Sequence, residues 1–304
     1  MSIITDFFTR PDVRFKCLAR LGVFDSMPDE EYLKKRFQLL CGYPLNLDDP
    51  KTFNEKIQWL KIYNRKSEYT TMVDKYAAKQ WVAERIGEEY IIPTLGVWDH
   101  FEEIDFESLP DQFVLKCTHD SASVVIVKEK TKMDKLAAKR KLERGLRCQY
   151  YRLSREWPYK NVPPRIIAEE YIEDESGKTL VDYKMFCFNG EPKIMMIGKG
   201  DPHGAGRTRD FYDLELNLLP FTNRAPNSKD PLSGLPQLKE IISISEQLSA
   251  DIPYLRVDTY IVNEKIYVGE LTFYHNAGFT PFEPEMWDRK LGDLIRLPNM
   301  ETKR

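Results

Sequence analysis

Cysteine is scarce and scattered in this chain of 304 residues. The five cysteines are odd in number and include no CxxC pair: Cys17, Cys41, Cys117, Cys148 and Cys187. The four histidines show no metal-ligand spacing. These absences argue against a disulfide framework and a structural zinc site, and they fit a reducing compartment. We therefore expect a cytoplasmic protein, with attachment to the inner face of the membrane as the alternative.

Long apolar runs and a charge excess are also missing. No apolar stretch approaches the roughly 20 residues that cross a bilayer, and the start, MSIITDFFTRPDVRF, lacks the pattern of a secretory signal. The net charge is only −3, which gives no general attraction to nucleic acid. The 42% hydrophobic and 12% aromatic content supplies instead a substantial core, in one large or two medium domains.

Helices and antiparallel hairpins are mixed along the chain. Residues 1–70 are expected to be helical, with amphipathic DEEYLKKRFQLLCGY followed by TFNEKIQWLKIYN, in which Thr52 and Glu55 have capping-box spacing. DKYAAKQWVAERIG predicts a helix over 74–87, and the later segments supply strands. This mixture predicts an α+β fold. Phe7, Phe8 and Phe15 are expected in the core.

One hairpin, residues 257–278, carries two acids among apolar residues: VDTYIVNEKIYVGELTFYHNAG. A three-residue turn, NEK, would pair Val262 with Ile266 and place Asp258 opposite Glu270, whereas a two-residue turn would put the acids on opposite faces. Opposed carboxylates repel unless a cation lies between them, and Mg²⁺ favours such oxygen ligands. The alternative is that both acids face water.

Three other segments place charged residues at strand ends. FVLK ends in a lysine, IIAEEYIE puts acids after a buried strand, and DYKMFCFNGEPKIMMIGKG forms a hairpin with charged ends. Each has an ordinary alternative as a surface lysine or an edge strand. The residues singled out are Lys116, Glu169, Glu170, Asp182, Lys184 and Lys199, together with Arg256 just before the acid hairpin.

In this order the features resemble the ATP-grasp superfamily. Over nearly the whole chain, six blocks resemble the TupA-like ATP-grasp family, which is associated with teichuronopeptide and capsular polysaccharide gene clusters: TFNEKIQWLK, VDKYAAKQWVAERIG, LPDQFVLKCTHDSASVVIV, IIAEEYI, DYKMFCFNGEP and GELTFYHNAGF. The resemblance implies an ATP-grasp domain over residues 71–304, with two α+β subdomains gripping ATP and a hinge near 169–172. The helical region 1–70 would precede it.

The resemblance also implies a nucleotide-binding set. Lys75 and Lys116 resemble the two lysines that hold the phosphates, and Glu169 would accept a hydrogen bond from the adenine amino group. Asp182 would hold the ribose, and Lys184 stands where related members carry an arginine. The full implied set is Lys75, Lys116, Glu169, Glu170, Tyr171, Ile172, Asp182 and Lys184.

A metal and a reacting centre follow from the same resemblance. Asp258 and Glu270 match the Mg²⁺ ligands, while Thr272 replaces the usual asparagine and Asn276 is the alternative third ligand. Arg256 matches an arginine beside the transferred phosphate. The resemblance therefore implies ATP and Mg²⁺ as cofactors.

Three further basic residues are candidates for catalysis. Lys199 has the spacing at which related members carry an arginine near the reacting phosphate, although lysine lacks the bidentate grip. Arg207 and Arg209 lie in the Gly-rich segment 200–213, interpreted as a mobile loop that meets the acyl phosphate or an acidic substrate. The alternative is a plain solvated loop.

The resemblance implies a carboxylate–amine ligase. ATP would activate a carboxylate, with a uronate sugar as the candidate, and an amine would form the amide, in surface polysaccharide modification. The alternatives are a glycosyltransferase, for which no D-x-D motif is present, a glycan phosphotransferase with His275 or Asp210 as base, and an ATP-dependent scaffold. No nucleic-acid partner and no transmembrane segment are expected, and the region 1–70 would hold the acceptor or a glycan carrier.

Overall fold

A computed structural model describes residues 3–121, 123–175, 180–199 and 207–299. Its helices are α1 (Ile3–Thr9), α2 (Pro11–Arg20), α3 (Asp29–Cys41), α4 (Phe53–Tyr63), α5 (Glu68–Val73), α6 (Ala77–Ile86), α7 (Lys135–Leu146), α8 (Tyr150–Ser154), α9 (Leu238–Ser249) and α10 (Met286–Leu294). None of these helices is both long and apolar enough to span a bilayer.

The strands form two antiparallel sheets. The strands are β1 (Thr94–Trp98), β2 (Phe113–Cys117), β3 (Val124–Val127), β4 (Ile166–Glu170), β5 (Asp182–Phe188), β6 (Glu191–Lys199), β7 (Thr208–Tyr212), β8 (Tyr254–Val262) and β9 (Lys265–Thr272). Sheet I has the order β1-β4-β2-β3 and sheet II the order β7-β6-β5-β8-β9. The α+β prediction is confirmed.

Local sequence signals set several helix ends. The Thr52 side chain accepts from the Glu55 amide while Glu55 caps back, so the predicted capping box starts α4. Gly87 ends α6 as expected. The helix predicted from residue 74 begins instead at Ala77, because Asp74 adopts an extended conformation that closes α5.

The N-terminal helices share one core with sheet II. Phe53 of α4 packs its ring 5.0 Å from Tyr254 of β8 and 5.7 Å from Phe282, centre to centre. Lys61 of α4 is fully buried, and its Nζ donates 2.8–2.9 Å hydrogen bonds to Gln58 and to the carbonyls of Ser154 and Ala277. A smaller core joins sheet I to α7.

Two details bear on the predicted N-terminal region. The boundary drawn between residues 70 and 71 falls inside α5, and the division into domains stays a prediction. Phe15 packs on the core by stacking on Phe24 at 4.6 Å, whereas the expectation of a buried Phe8 is wrong, since 71% of its side chain is exposed.

The acid hairpin has the predicted pairing of Asp258 with Glu270, but its turn differs from the predicted one. Its turn has two residues, Asn263 and Glu264, both with positive φ, so that Val262 pairs with Lys265. The three-residue turn was wrong because both residues adopt the left-handed conformation of a tight hairpin turn. A bulge at Gly269 then inserts the extra residue and restores Asp258 opposite Glu270.

Candidate functional site

Glu169 of β4 forms ion pairs with two lysines beside sheet I. Lys79 Nζ lies 2.8 Å from one carboxylate oxygen and Lys116 Nζ lies 2.5 Å from the other. Burial alone would raise the pKa of Glu169, but the two lysines outweigh it and the pKa is lowered. Glu169 is therefore a fixed anion that holds two ammonium groups side by side.

Lys75 joins these lysines from the turn two residues before α6. Its Nζ donates to the Asp120 carbonyl, and burial lowers its pKa, with Glu270 counteracting and Lys116 adding to the shift. A cavity of about 30 Å³ is lined by the three lysines and by Glu169 and Glu270. Sheet I and the β9 edge of sheet II thus meet in one cleft.

Asp258 lies on β8 and forms ion pairs with two cations. Arg256 donates from Nε to Oδ1 at 2.6 Å and from Nη2 to Oδ2 at 2.7 Å, and Lys184 Nζ is 2.5 Å from Oδ2. Burial would raise the pKa of Asp258, but Arg256 and Lys184 lower it overall. Asp258 therefore stays ionised and keeps Arg256 in place.

Glu270 contrasts with its cross-strand partner. Its half-buried carboxylate makes no hydrogen bond or ion pair within the described ranges, and it faces the cavity beside Lys75. Thr272, two residues on, accepts a 3.0 Å hydrogen bond from Arg256 Nη2. The open carboxylate of the pair is thus Glu270.

Magnesium fits this donor set in part. Mg²⁺ takes one or two carboxylates and completes its shell with water and phosphate oxygens. Glu270 offers a whole carboxylate, and Asp258 Oδ1, which accepts a single hydrogen bond, retains one lone pair. Among the described residues no group of three His, Cys, Asp or Glu side chains could hold a metal, so other oxygens would have to complete the shell.

His275 helps to hold the Arg256 guanidinium in place through a hydrogen bond. Its Nδ1 lies 2.9 Å from Arg256 Nη1 and its Nε2 lies 3.1 Å from Asn223 Oδ1. Burial lowers its pKa well below the usual range, followed by the charges of Arg256 and Arg209. We assign the neutral tautomer that accepts at Nδ1, because arginine can only donate.

Arg209 reaches the same side of sheet II from β7. It is buried, and its Nη1 lies 3.5 Å from the Asn223 carbonyl. Burial lowers its pKa to about 10, followed by the charges of Arg207, Arg224 and Arg256. The predicted loop 200–213 is in part strand β7, and residues 200–206 lie outside the described residues.

Lys199 is not brought to this cluster. Register places Gly198 opposite Asp182 on the face that carries Asp258, so the next residue points to the other face. Its Nζ donates to the Asp230 carbonyl at 2.5 Å instead. A role for Lys199 at the reacting phosphate stays a prediction that the observed side-chain position does not favour.

The remaining nucleotide candidates, Asp182, Glu170, Tyr171 and Ile172, are not among the residues that line the lysine cavity. Asp182 pairs with Lys184 at 3.3 Å. Glu170 is exposed and its N–H donates to the Pro93 carbonyl at 3.1 Å, while the Tyr171 hydroxyl donates to Glu173 at 3.2 Å. Ile172 is half-buried. Their predicted adenine and ribose contacts stay predictions.

Sequence reasoning missed Lys79 and the structural role of His275. Lys79 follows Lys75 by four residues, the spacing that puts two helical side chains on one face, and this signal could have found it. His275 had no comparable signal, because its partners come from β8 and a loop far away in the chain.

Two antiparallel sheets that both send charged side chains into one lysine-rich cleft define an α+β protein with a charged site between its sheets. The sequence itself matches the TupA-like ATP-grasp family over residues 55–296, and the chain belongs to that family. The family resemblance and the ATP-grasp assignment are confirmed by this match. No curated protein matches the chain.

Solved structures of ATP-grasp proteins are distantly similar. D-alanine–D-alanine ligase from Bacillus anthracis, complexed with ATP, is 16% identical (74% of this chain, 63% of that one, TM-score 0.42). D-alanine–D-alanine ligase from Helicobacter pylori is 13% identical, with 80% of this chain and 69% of that one covered and a TM-score of 0.40. A RimK domain ATP-grasp protein from Sphaerobacter thermophilus is 12% identical, with 77% of this chain and 70% of that one covered and a TM-score of 0.40. This chain spans 57–63% of the first four structures it matches. The family match therefore carries the assignment.

Proposed function

We propose that this chain is an ATP-dependent carboxylate–amine ligase that uses Mg²⁺. The single observation that carries the proposal is the open Glu270 carboxylate opposite a cation-held Asp258, beside three lysines in one cleft. In the reaction, a substrate carboxylate oxygen attacks the γ-phosphorus of ATP and ADP leaves. An amine then attacks the acyl carbon, phosphate leaves, and the ammonium proton passes to solvent.

The lysines would bind the triphosphate. Lys75, Lys79 and Lys116 stand within one cavity, and Glu169 holds two of them in position before any ligand arrives. Such preorganised cations offset phosphate charge without reorganisation at the moment of reaction. Lys75 and Lys116 would thus take the roles that the family resemblance implies, with Lys79 as a third.

Arg256 would stabilise the phosphoryl group in transfer. Asp258 accepts two of its hydrogen bonds and His275 a third, so its guanidinium is fixed in orientation. Glu270, with the remaining lone pair of Asp258, would hold Mg²⁺, which would offset the charge of the phosphates. These residues position and neutralise, and no covalent nucleophile is required.

A kinase acting on a glycan hydroxyl is disfavoured by the two candidate bases. Asp210 is fully buried and accepts from the Ser228 amide at 2.7 Å and from the Ser228 hydroxyl at 2.5 Å. His275 already accepts from Arg256. Neither group is free to take a hydroxyl proton, whereas an amine attacking an acyl phosphate does not depend on such a base.

The substrates and setting are also proposals. The family's association with capsular and teichuronopeptide clusters supports a uronate carboxylate and an amino acid or amino alcohol, in surface polysaccharide modification. A cytoplasmic location, where ATP is supplied, belongs to this proposal.

The test is ATP turnover with a panel of uronates and amines, with ADP and AMP followed separately. ADP and phosphate that appear only when both acid and amine are present would support ligation. ADP with a phosphorylated glycan would point to a kinase, and consumption of a UDP-sugar without ATP turnover would point to a glycosyltransferase.

A further inference from the structure

Five cations on α2, α3 and the β7 side of sheet II form a basic group, in which the charge of Glu156 acts on Arg36. Lys16 and Arg20 are exposed on α2, Arg36 is half-buried on α3, Arg209 is buried on β7, and Arg224 is exposed in the loop that follows β7. None of the five forms an ion pair within the described part of the chain.

Sheet II and α3 converge at this place. Asn223 receives the His275 Nε2 hydrogen bond at 3.1 Å, its carbonyl lies 3.5 Å from Arg209 Nη1, and Arg224 is the next residue. From the other side the Arg36 guanidinium lies 4.7 Å from the centre of the Phe279 ring, just after the turn that carries His275. Arg209 and Arg224 on one side and Arg36 on the other therefore flank the turn that carries His275.

The two α2 cations belong with Arg36, because the Phe15 ring of α2, next to Lys16, lies 5.1 Å from the ring of Tyr32, one turn before Arg36 on α3. The pKa of Lys16 is lowered by partial burial and then by the charges of Arg20, Arg36 and Arg224. Arg224 is also among the charges that depress the pKa of Arg209, after burial and Arg207. Like charges held together in this way repel, and a bound anion relieves that repulsion.

We propose that Lys16, Arg20, Arg36, Arg209 and Arg224 form a second anion-binding site, the acceptor subsite, for the substrate whose carboxylate reacts. The substrate therefore carries at least one negative charge beyond the reacting carboxylate. This inference rests on the proposed function and assigns the N-terminal helices a role in recognising the acceptor.

The geometry distinguishes this subsite from the nucleotide cleft. The triphosphate lysines lie between sheet I and β9, whereas the acceptor subsite lies between α2, α3 and the β7 side of sheet II. Arg256 stands between the two, where a reacting carboxylate would meet the transferred phosphate. An acidic oligosaccharide supplies its second charge on a neighbouring sugar, and a phosphorylated acceptor supplies it as phosphate.

The test compares two charge-matched triple variants. Lys16→Gln/Arg20→Gln/Arg224→Gln removes three exposed subsite cations, and Arg140→Gln/Arg144→Gln/Lys239→Gln removes three exposed cations elsewhere. Titration calorimetry at low and moderate salt would use galacturonate, hexagalacturonate, inositol hexakisphosphate and Mg-ADP as probes. Thermal unfolding would check that both variants fold.

We expect hexagalacturonate to bind wild type more tightly than galacturonate does, and to lose about tenfold or more in affinity in the subsite variant. The control variant should bind it as wild type does, and Mg-ADP should bind all three proteins equally. A further outcome is that inositol hexakisphosphate is the only polyanion that binds wild type and the control variant but loses affinity in the subsite variant. In that case the extra charge of the substrate is a phosphate, and the subsite stands.

Three outcomes would overturn the acceptor subsite. They are no binding of either polyanion to wild type, equal losses in the two triple variants, or an equal loss of Mg-ADP binding in the subsite variant. Failure of wild type to bind Mg-ADP, with polyanion binding intact, would instead overturn the proposed ligase function and leave the subsite standing.

Discussion

At the scale of single residues, two facing acids have different surroundings. Asp258 is buried and accepts three hydrogen bonds from Arg256 and Lys184, whereas Glu270 is half-buried and free of partners in the described ranges. A carboxylate already neutralised by two cations adds little to a metal site. Most of the metal-binding charge should therefore come from Glu270.

Glu270→Gln should weaken Mg-ATP binding by about tenfold or more, because it removes the open carboxylate of the pair. Titration calorimetry would measure the affinity. Glu264→Gln, an exposed acid on the turn of the same hairpin, is the control and should bind as wild type does. Wild-type affinity in Glu270→Gln would refute the magnesium site.

Glu169→Gln should destabilise the fold by roughly 3 kcal/mol at neutral pH, since it leaves two largely buried lysines without their counter-ion. The folded-state pKa of Glu169 is lowered, so its contribution is present above the unfolded pKa of about 4.3. That contribution is lost as pH falls through the folded pKa.

The measurement is urea denaturation of wild type and variant from pH 7 down to acid pH. The difference in unfolding free energy should narrow below about pH 4. Glu170→Gln, the exposed neighbour, should behave as wild type throughout. A difference that stays constant with pH would show that the ion pairs do not stabilise the fold.

At the scale of elements, the β8–β9 hairpin depends on one glycine. The bulge at Gly269 sets the pairing of Asp258 with Glu270, and a Cβ added there would lie 2.5 Å from the Tyr260 ring. A side chain at this position must push the ring or straighten the bulge, and a one-residue slip turns side chains to the other face.

Gly269→Ala should therefore cost about 1–3 kcal/mol of stability through overpacking, and should weaken Mg-ATP binding in the same protein. Thermal unfolding and calorimetry would measure the two effects. Gly234→Ala is the matched control, because a Cβ there meets nothing within 4 Å. Unchanged nucleotide affinity would show that the bulge does not set the acid pair.

At the scale of the whole molecule, the N-terminal helices and sheet II are one body with a common core, while sheet I and α7 have their own. Phe53→Ala in α4 should cost about 3–5 kcal/mol. Amide hydrogen exchange should then accelerate in β5 and β8 as well as in α4, with smaller changes in β2 and β4.

Phe8→Ala, whose side chain is 71% exposed, is the control and should leave exchange unchanged. Acceleration confined to α4 would show that the helical region unfolds independently of sheet II, as a separate domain would. The result bears directly on the acceptor subsite, which needs α2 and α3 to stay seated on sheet II.

The sequence by itself determined what depends on short-range pattern. The capping box of α4 and the strands that carry Lys116 and Glu169 follow from local periodicity and turn chemistry. The family assignment rests on the same blocks. Even the wrong turn length led to the right acid pair, since the bulge compensated for it.

Only the tertiary structure decided which charged groups meet. Lys79 bonds Glu169 and His275 supports Arg256 across long chain separations, and register turned Lys199 to the face away from the cluster. Packing of distant segments, rather than the residues of each segment, decides these neighbours. Sequence pattern sets which face a side chain occupies, and the shared core sets what that face meets.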